Sequence, residues 1–217
     1  MNTKEVREYK SNLKLTKEQR EVLVGLLLGD GHLETQDNGR TYRLKVEHSI
    51  SQKEYVDSLY ELFQEWCPHG PTRRKRHIQF GTITSYGFYS YSSGSFRFYA
   101  QQFYQDRRRV IPSIIRKLLT PRSIAVWFMD DGSKKSKVHN TYIIHTHAFT
   151  KRELKIMCET LKKKFGIDAH IHRQYSVYRL YIMAQSARKF RGLVEPYIIP
   201  SMQYKLENTS PKSNGGV

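Results

Sequence analysis

Two aspartates, Asp30 and Asp131, each stand before a glycine that closes an apolar run, in "LVGLLLGDG" at 23–31 and in "IAVWFMDDG" at 124–132. If each run is a helix stopped by its glycine, the carboxylate lies in the last turn, where the macrodipole is already negative. One such acid reads as a C-cap before a turn. Two in the same layout read as a pair. Side by side, two carboxylates and the last carbonyls of two helices form a focus of oxygen ligands that is unfavourable without a divalent cation. Hard oxygen donors suit Mg²⁺, which keeps waters and takes a substrate phosphate as a further ligand. A cation held there can generate hydroxide and stabilise the leaving oxygen of an in-line displacement. Counting back from the glycine matches Asp131 with Asp30, and leaves Asp130 expected to point elsewhere.

Both motifs need a helix that starts in the right place, and the sequence supplies one each time. "LTKEQREV" offers Thr16 as N-cap with Gln19 three residues on, and "LTPRSIAV" offers Thr120 with Pro121 at the first helical position. The segments downstream of the two motifs match as well. "TYRLKVEHSI" and "TYIIHTHAF" alternate like strands, and each runs into a capping-box pattern, "SQKE" at 51–54 and "TKRE" at 150–153. The stretches "YVDSLYELFQEW" and "LKIMCETLKKKF" have helical spacing. Strand-like segments come next, "RHIQFGTITS" with "YGFYSYSS" in one half and "DAHIHRQYSVYRLYIMAQ" in the other, and each half closes with a helix, near 94–105 and 186–195. The reading is a duplicated αββαββα unit: residues 1–105, a junction at 106–119, residues 120–206, and a polar tail at 207–217 expected to be disordered. A duplicated unit with an apolar helix face buries it best against its copy. Gly25 and Gly29, four residues apart, leave one side of the first helix bare for that approach.

The charge points to the partner. Among 217 residues, 37 Lys and Arg against 20 Asp and Glu leave +17, which a polyanion explains better than folding does. A membrane surface is the weaker alternative, because the basic residues are not gathered on an amphipathic helix or beside an apolar anchor. No apolar run approaches a bilayer span, and "MNTKEVREYK" has no signal-peptide core, so the chain reads as intracellular, in an organelle or a bacterial cytoplasm. Cys67 and Cys158 lie far apart without a CxxC partner, which argues against a zinc knuckle or a disulfide framework. No serine sits in a nucleophile elbow.

These residues resemble the LAGLIDADG homing endonucleases, in their monomeric two-repeat branch. The resemblance spans nearly the whole chain, and "LTPRSIAVWFMDDGSK" and "PYIIPSMQYKLENT" are its most specific pieces. It implies an α+β fold of two αββαββα repeats forming a DNA-binding saddle, with the motif helices at their interface. It implies double-strand cleavage of a long asymmetric DNA site by a monomer. Asp30 and Asp131 match the family's metal-binding aspartates, and the carbonyls of Gly29 and Asp130 match its auxiliary ligands. Lys205, in "MQYKL", matches a basic residue near one scissile phosphate. Arg109, in "RRRVIP", falls at the other, where this branch tends to carry lysine; arginine does not readily give up a proton, so its role there is electrostatic or water-ordering. Mg²⁺ is the implied cofactor, Mn²⁺ is expected to substitute, and Ca²⁺ is expected to support binding without efficient cutting. The rival readings are an intron RNA maturase and a DNA-binding regulator that no longer cuts.

A saddle sheet turns one face to the duplex, and strand alternation nominates the residues on it. In "TYRLKVEH", Arg43, Lys45 and Glu47 look outward. In "RRKRHIQF", Arg73, Lys75, His77 and Gln79 share the face opposite Ile78 and Phe80. His145 and His147 share one strand face, and His170, His172 and Gln174 another. Such side chains read base edges in the major groove. The two His-x-His pairs could also ligate a transition metal, but no third Cys or acidic partner lies near them, so DNA contact is favoured.

Overall fold

The computed structural model describes residues 4–79, 81–135 and 141–207. Phe80 and the tail at 208–217 lie outside the described residues. After a short helix α1 (Lys4–Asn12), the first motif helix α2 (Lys17–Leu28) starts as its sequence dictates. The Thr16 hydroxyl accepts from the Gln19 N–H at 3.1 Å, and the Gln19 side chain accepts from the Thr16 N–H at 3.0 Å.

The first repeat continues with β1 (His32–Glu34), β2 (Arg43–Ser49), α3 (Lys53–Phe63), β3 (Thr72–Ile78), β4 (Gly81–Tyr89) and α4 (Arg97–Phe103). The "SQKE" capping box does not form. Ser49 instead caps a 3-10 turn at Ile50–Gln52, which delivers the chain to α3 without a side-chain cap. The strand-like segment "RHIQFGTITS" is divided between β3 and β4, so the hairpin begins earlier than alternation suggests. A two-residue turn with Asp106 and Arg107 at φ 49° and 64° joins β5 (Tyr104–Gln105) to β6 (Arg108–Arg109), and α5 (Ile115–Leu118) follows.

The second repeat has α6 (Pro121–Asp131), β7 (Gly132–Lys134), β8 (Tyr142–His145), α7 (Lys151–Phe165), β9 (Ala169–Gln174), β10 (Val177–Ile182) and α8 (Ala184–Val194), and a 3-10 stretch at Pro200–Lys205 comes after them. Thr120 and Thr150 both form capping boxes, with Ser123 and Glu153 as the reciprocal residues. The two antiparallel sheets have the same order, β1-β2-β4-β3 and β7-β8-β10-β9.

Between them, α2 and α6 pack directly on one another. Residues Val22 to Leu28 and Ser123 to Met129 are all buried, as helices apolar on every side must be. A Cβ at Gly25 would stand 2.6 Å from both the Ser123 carbonyl and the Val126 Cβ, so only glycine permits this approach. Fully buried side chains such as Leu26 and Phe128 each contribute about 1.5–3 kcal/mol by leaving water. This packing fixes where the two helix ends lie. No described helix is long and apolar enough to cross a membrane.

Candidate active site

Both motif helices end at the site. Gly29 is the C-cap of α2 and Gly132 that of α6, so Asp30 lies just past one helix and Asp131 is the last residue of the other. Asp30 is half exposed, whereas the Asp130 side chain is fully buried. The expectation for Asp130 is corrected by its contacts. Its carboxylate crosses the helix interface, accepting the Asp30 backbone N–H at 2.9 Å and the Tyr55 hydroxyl at 2.8 Å. The reason is space and unmet donors. Gly29 has no side chain, and a Cβ there would stand 2.6 Å from the Asp130 Cβ and 2.8 Å from its Cγ. The Asp30 N–H, beyond the end of α2, and the buried Tyr55 hydroxyl both gain an acceptor.

His48 completes this cluster and was not anticipated. Its Nδ1 is 3.7 Å from Asp30 Oδ2 and its Nε2 3.9 Å from Asp130 Oδ1. Nε2 is buried and makes no hydrogen bond among the described residues. The ring stacks edge-on against Tyr55 at 5.2 Å. Ligand atoms of Asp30, His48 and Asp130 all lie within 4.8 Å of one another. The available signal was a polar residue on the inward phase of β2, after Leu44 and Val46; a buried polar group is the informative exception.

The electrostatics follow from burial and crowding. Burial first, then Asp30, raises the Asp130 carboxyl to about 7. Burial, then Asp30 and Asp130, raises Asp131 to about 8. Burial holds the Lys205 ammonium below its ordinary range although three aspartates favour its charge. It also lowers His48, outweighing the opposite pull of Asp30. Lys205 Nζ donates to the Met129 carbonyl and, at 2.9 Å, to that of Asp130. Arg109, delivered by the β5–β6 hairpin, donates to the Gly29 carbonyl and, at 2.7 Å, to that of Gly31. Each motif end therefore receives one cationic side chain. Carboxylates held above their usual range beside two negative helix ends are a donor set that suits a hard divalent cation.

The sheets present their open faces beside this cluster. On β2, Leu44, Val46 and His48 are buried while Arg43, Lys45 and Glu47 face out, as alternation predicts. The two basic ones are tied to acids: Arg43 to Glu34 at 2.8 Å, and Lys45 to Glu34 at 3.7 Å and to Glu47 itself at 3.4 Å. The phase expected for β3 is wrong. Arg73 pairs with Tyr86, whose hydroxyl donates to Asp57 of α3, so Arg73, Lys75 and His77 lie on the helix side. Arg74, Arg76 and Ile78 occupy the open side, and Arg74 approaches Glu47 at 3.7 Å. Apolar residues mislead here because β3 is an edge strand, exposed along its whole length, and Ile78 marks no core. Gln79 lies in the turn beyond it.

In the second sheet the register agrees with the alternation expected of His145, His170, His172 and Gln174, but not with a strand position for His147. His145 and His172 both pair with Arg179, and His170 and Gln174 share that face, opposite buried Leu180 and Ile182. His147 lies in the turn after β8, its ring 5.8 Å from that of His145. Asp30, His48 and Asp130 are the one trio of His, Cys, Asp or Glu side chains close enough together to share a metal ion among the described residues. A cleft of about 520 Å³ joins the first sheet's open face to Asp30, lined in part by His32, Lys45, Glu47, Arg76 and Ser85. His32, Arg74, Arg76 and Arg179 were missed on these faces. Strand pairing, which sequence alternation alone does not provide, is what reveals them.

The profile of the LAGLIDADG DNA endonuclease family matches residues 20–190. The chain belongs to this family. Probable intron-encoded endonuclease 1 of Wickerhamomyces canadensis is 31% identical over 213 residues, covering 94% of this LAGLIDADG chain and 91% of the relative. Cytochrome b mRNA maturase bI2 of Debaryomyces hansenii is 30% identical, covering 91% and 76%. Among solved structures, the homing endonuclease I-WcaI bound to its DNA recognition sequence superposes with a TM-score of 0.90 at 28% identity, over 96% of this chain and 95% of that one. I-DmoI in complex with DNA and Mn shares the fold at a TM-score of 0.51 and 21% identity, over 81% of this chain and 94% of that one. Both repeats of the LAGLIDADG architecture are thus present in one chain, with the paired motif helices between them.

Proposed function

We infer that the protein is a site-specific homing endonuclease: as a monomer it binds a long asymmetric duplex along both open sheet faces and breaks both strands, with Mg²⁺ as the working cation. The observation that carries this reading is the pair of aspartates at the joined ends of α2 and α6, beside the open faces of two basic sheets. Asp30 and Asp131 would hold the cation, with the Gly29 and Asp130 carbonyls as further oxygen donors. A cation held there would supply an activated water for the attack and charge compensation for the leaving oxygen.

The chain's own cations do the rest. In this reading Lys205 and Arg109, both anchored on motif carbonyls in the free protein, turn toward the two scissile phosphates when DNA binds. Partly desolvated Lys205 can offset charge that develops in the transition state and can exchange a proton. Arg109 stays charged and orders the phosphate and water. Arg43, Lys45, Glu47, Arg74, Arg76, His145, His170, His172 and Gln174 line the faces that meet base edges and backbone.

The test is selection of cleavable sites from a randomised duplex library in Mg²⁺, with parallel reactions in Mn²⁺, Ca²⁺ and excess chelator. A defined site cut in Mg²⁺ and Mn²⁺, and bound without efficient cutting in Ca²⁺, is expected. Cutting that persists in chelator refutes the metal role. Likeness to a cytochrome b mRNA maturase supports an additional RNA role, which is tested by asking whether intron RNA is still bound when the selected DNA is saturating.

A further inference from the structure

The β3–β4 hairpin carries two large apolar side chains in water, Ile78 at 45% exposure and Ile83 at 52%. Strand register places both on the open face. Ile83 stands directly opposite Arg76, and Ile78 lies two residues beyond Arg76. Across from Ile78 is Gly81, which has no side chain and open space where a Cβ would be. Neither isoleucine therefore has an apolar cover from its cross-strand neighbour. Arg74 and Arg76 lie on the same face, and that face opens into the cleft that reaches Asp30.

An apolar pair set between arginines needs a partner that is both polyanionic and apolar at the contact point. The phosphates offer no such group, and the deoxyribose carbons are the same at every position. In the major groove the one apolar feature is the thymine 5-methyl, and a two-stranded ribbon fits that groove. The spacing agrees with this. Side chains on diagonal positions of a hairpin are about 7–8 Å apart, close to two base-pair steps at about 3.4 Å each. Resting on the DNA-endonuclease reading above, we propose that Ile78 and Ile83 form a thymine-methyl subsite that selects thymine at two positions, roughly two steps apart, in the half-site held by the first repeat. Arg74 and Arg76 hold the hairpin against the neighbouring backbone or bases, and the isoleucines distinguish thymine from cytosine, which lacks the methyl group.

The test compares two randomised duplex libraries, one synthesised with thymine and one with uracil in its place, selected by wild-type protein and by Ile78→Ser and Ile83→Ser. Both residues are exposed, so the variants are expected to fold, and unchanged unfolding transitions check that directly. With the thymine library, wild type should enrich thymine at two nearby positions. Each variant should lose one of those preferences and keep the rest of the site. The uracil library should lose both. Removal of one methyl contact should weaken binding about fourfold. Thymine preferences that survive both substitutions, or a selected site with no such preference, overturn the subsite and leave the endonuclease reading intact. Failure to select any site overturns that reading instead. If the substitutions abolish concentration-dependent self-association and leave base preference unchanged, the pair covers a second copy of the chain and the proposal is wrong.

Discussion

Removing divalent metal should make this protein's stability fall steeply as pH rises. A carboxyl whose native pKa exceeds its unfolded value, about 3.9, holds its proton more tightly when folded. Its folded state is then favoured at low pH, and the advantage is lost as pH climbs toward the native value. Asp130 at about 7 and Asp131 at about 8 are both of this kind. While both are protonated only in the folded state, the slope is at most roughly 3 kcal/mol per pH unit, so pH 5 to 7 removes up to about 5 kcal/mol. That is comparable with the whole stability of many domains. His48 acts in the opposite sense: burial lowers its pKa, so the unfolded chain takes up a proton first and stability rises toward pH 6.5. One histidine contributes at most about 1.4 kcal/mol per unit, so the carboxyls prevail. Urea unfolding in chelator at pH 5, 6, 7 and 8 reads the curve directly. Mg²⁺ should recover stability at pH 8 and do little at pH 5, and Asp131→Asn should roughly halve the slope. Stability that is flat or rising from pH 6.5 to 7.5 in chelator would refute the account of a crowded, buried carboxylate pair.

Other substitutions probe other parts of the site and its surface. Gly29→Ala places a Cβ against Asp130; by overpacking alone it should cost about 1–3 kcal/mol in chemical unfolding, and it should also reduce cleavage. Lys205→Ala should lower the single-turnover cleavage rate more than it weakens binding, because a group acting at the scissile phosphate contributes mainly in the transition state. Arg109→Lys should change the cutting rate of one strand, which end-labelled duplexes resolve. Arg74→Ala with Arg76→Ala should weaken DNA binding and flatten its salt dependence by about two counterions. Arg73→Ala with Lys75→Ala, on the helix side, should do much less, and equal effects would restore the phase that alternation suggested.

What the sequence made legible was whatever local chemistry determines. Thr16, Thr120 and Thr150 cap helices because their partners lie three residues away, and Gly25 announced the close helix crossing because nothing else fits there. Asp30 and Asp131 were readable because the motif occurs twice. Errors arose where the outcome depends on distant neighbours. Ile78 looks like a core residue, yet β3 is an edge strand open on both sides, and only its pairing with β4 sets the phase. The direction of the Asp130 side chain is not legible locally, because its acceptor role depends on the chain at Gly29 and Asp30 and on Tyr55 of α3, all far away in the sequence. His48 was within reach of sequence reasoning. Its place on the inward phase of β2 should have marked it as a buried polar group with a purpose.

The central claim is that Asp30 and Asp131 act together as the cation-holding pair of a DNA-cutting site. Its most direct test is strand-resolved cleavage of the selected duplex by Asp30→Asn and Asp131→Asn, with affinity measured in parallel in Ca²⁺. Asparagine keeps the shape and removes the charge, so both variants should bind the site with near wild-type affinity and lose most double-strand cutting. Residual nicking confined to one strand would assign each aspartate its own cation, whereas loss on both strands would mean that the cations are shared across the interface. Undiminished cutting of both strands by either variant would contradict the claim, because an aspartate that merely caps a helix end is replaced by asparagine without loss.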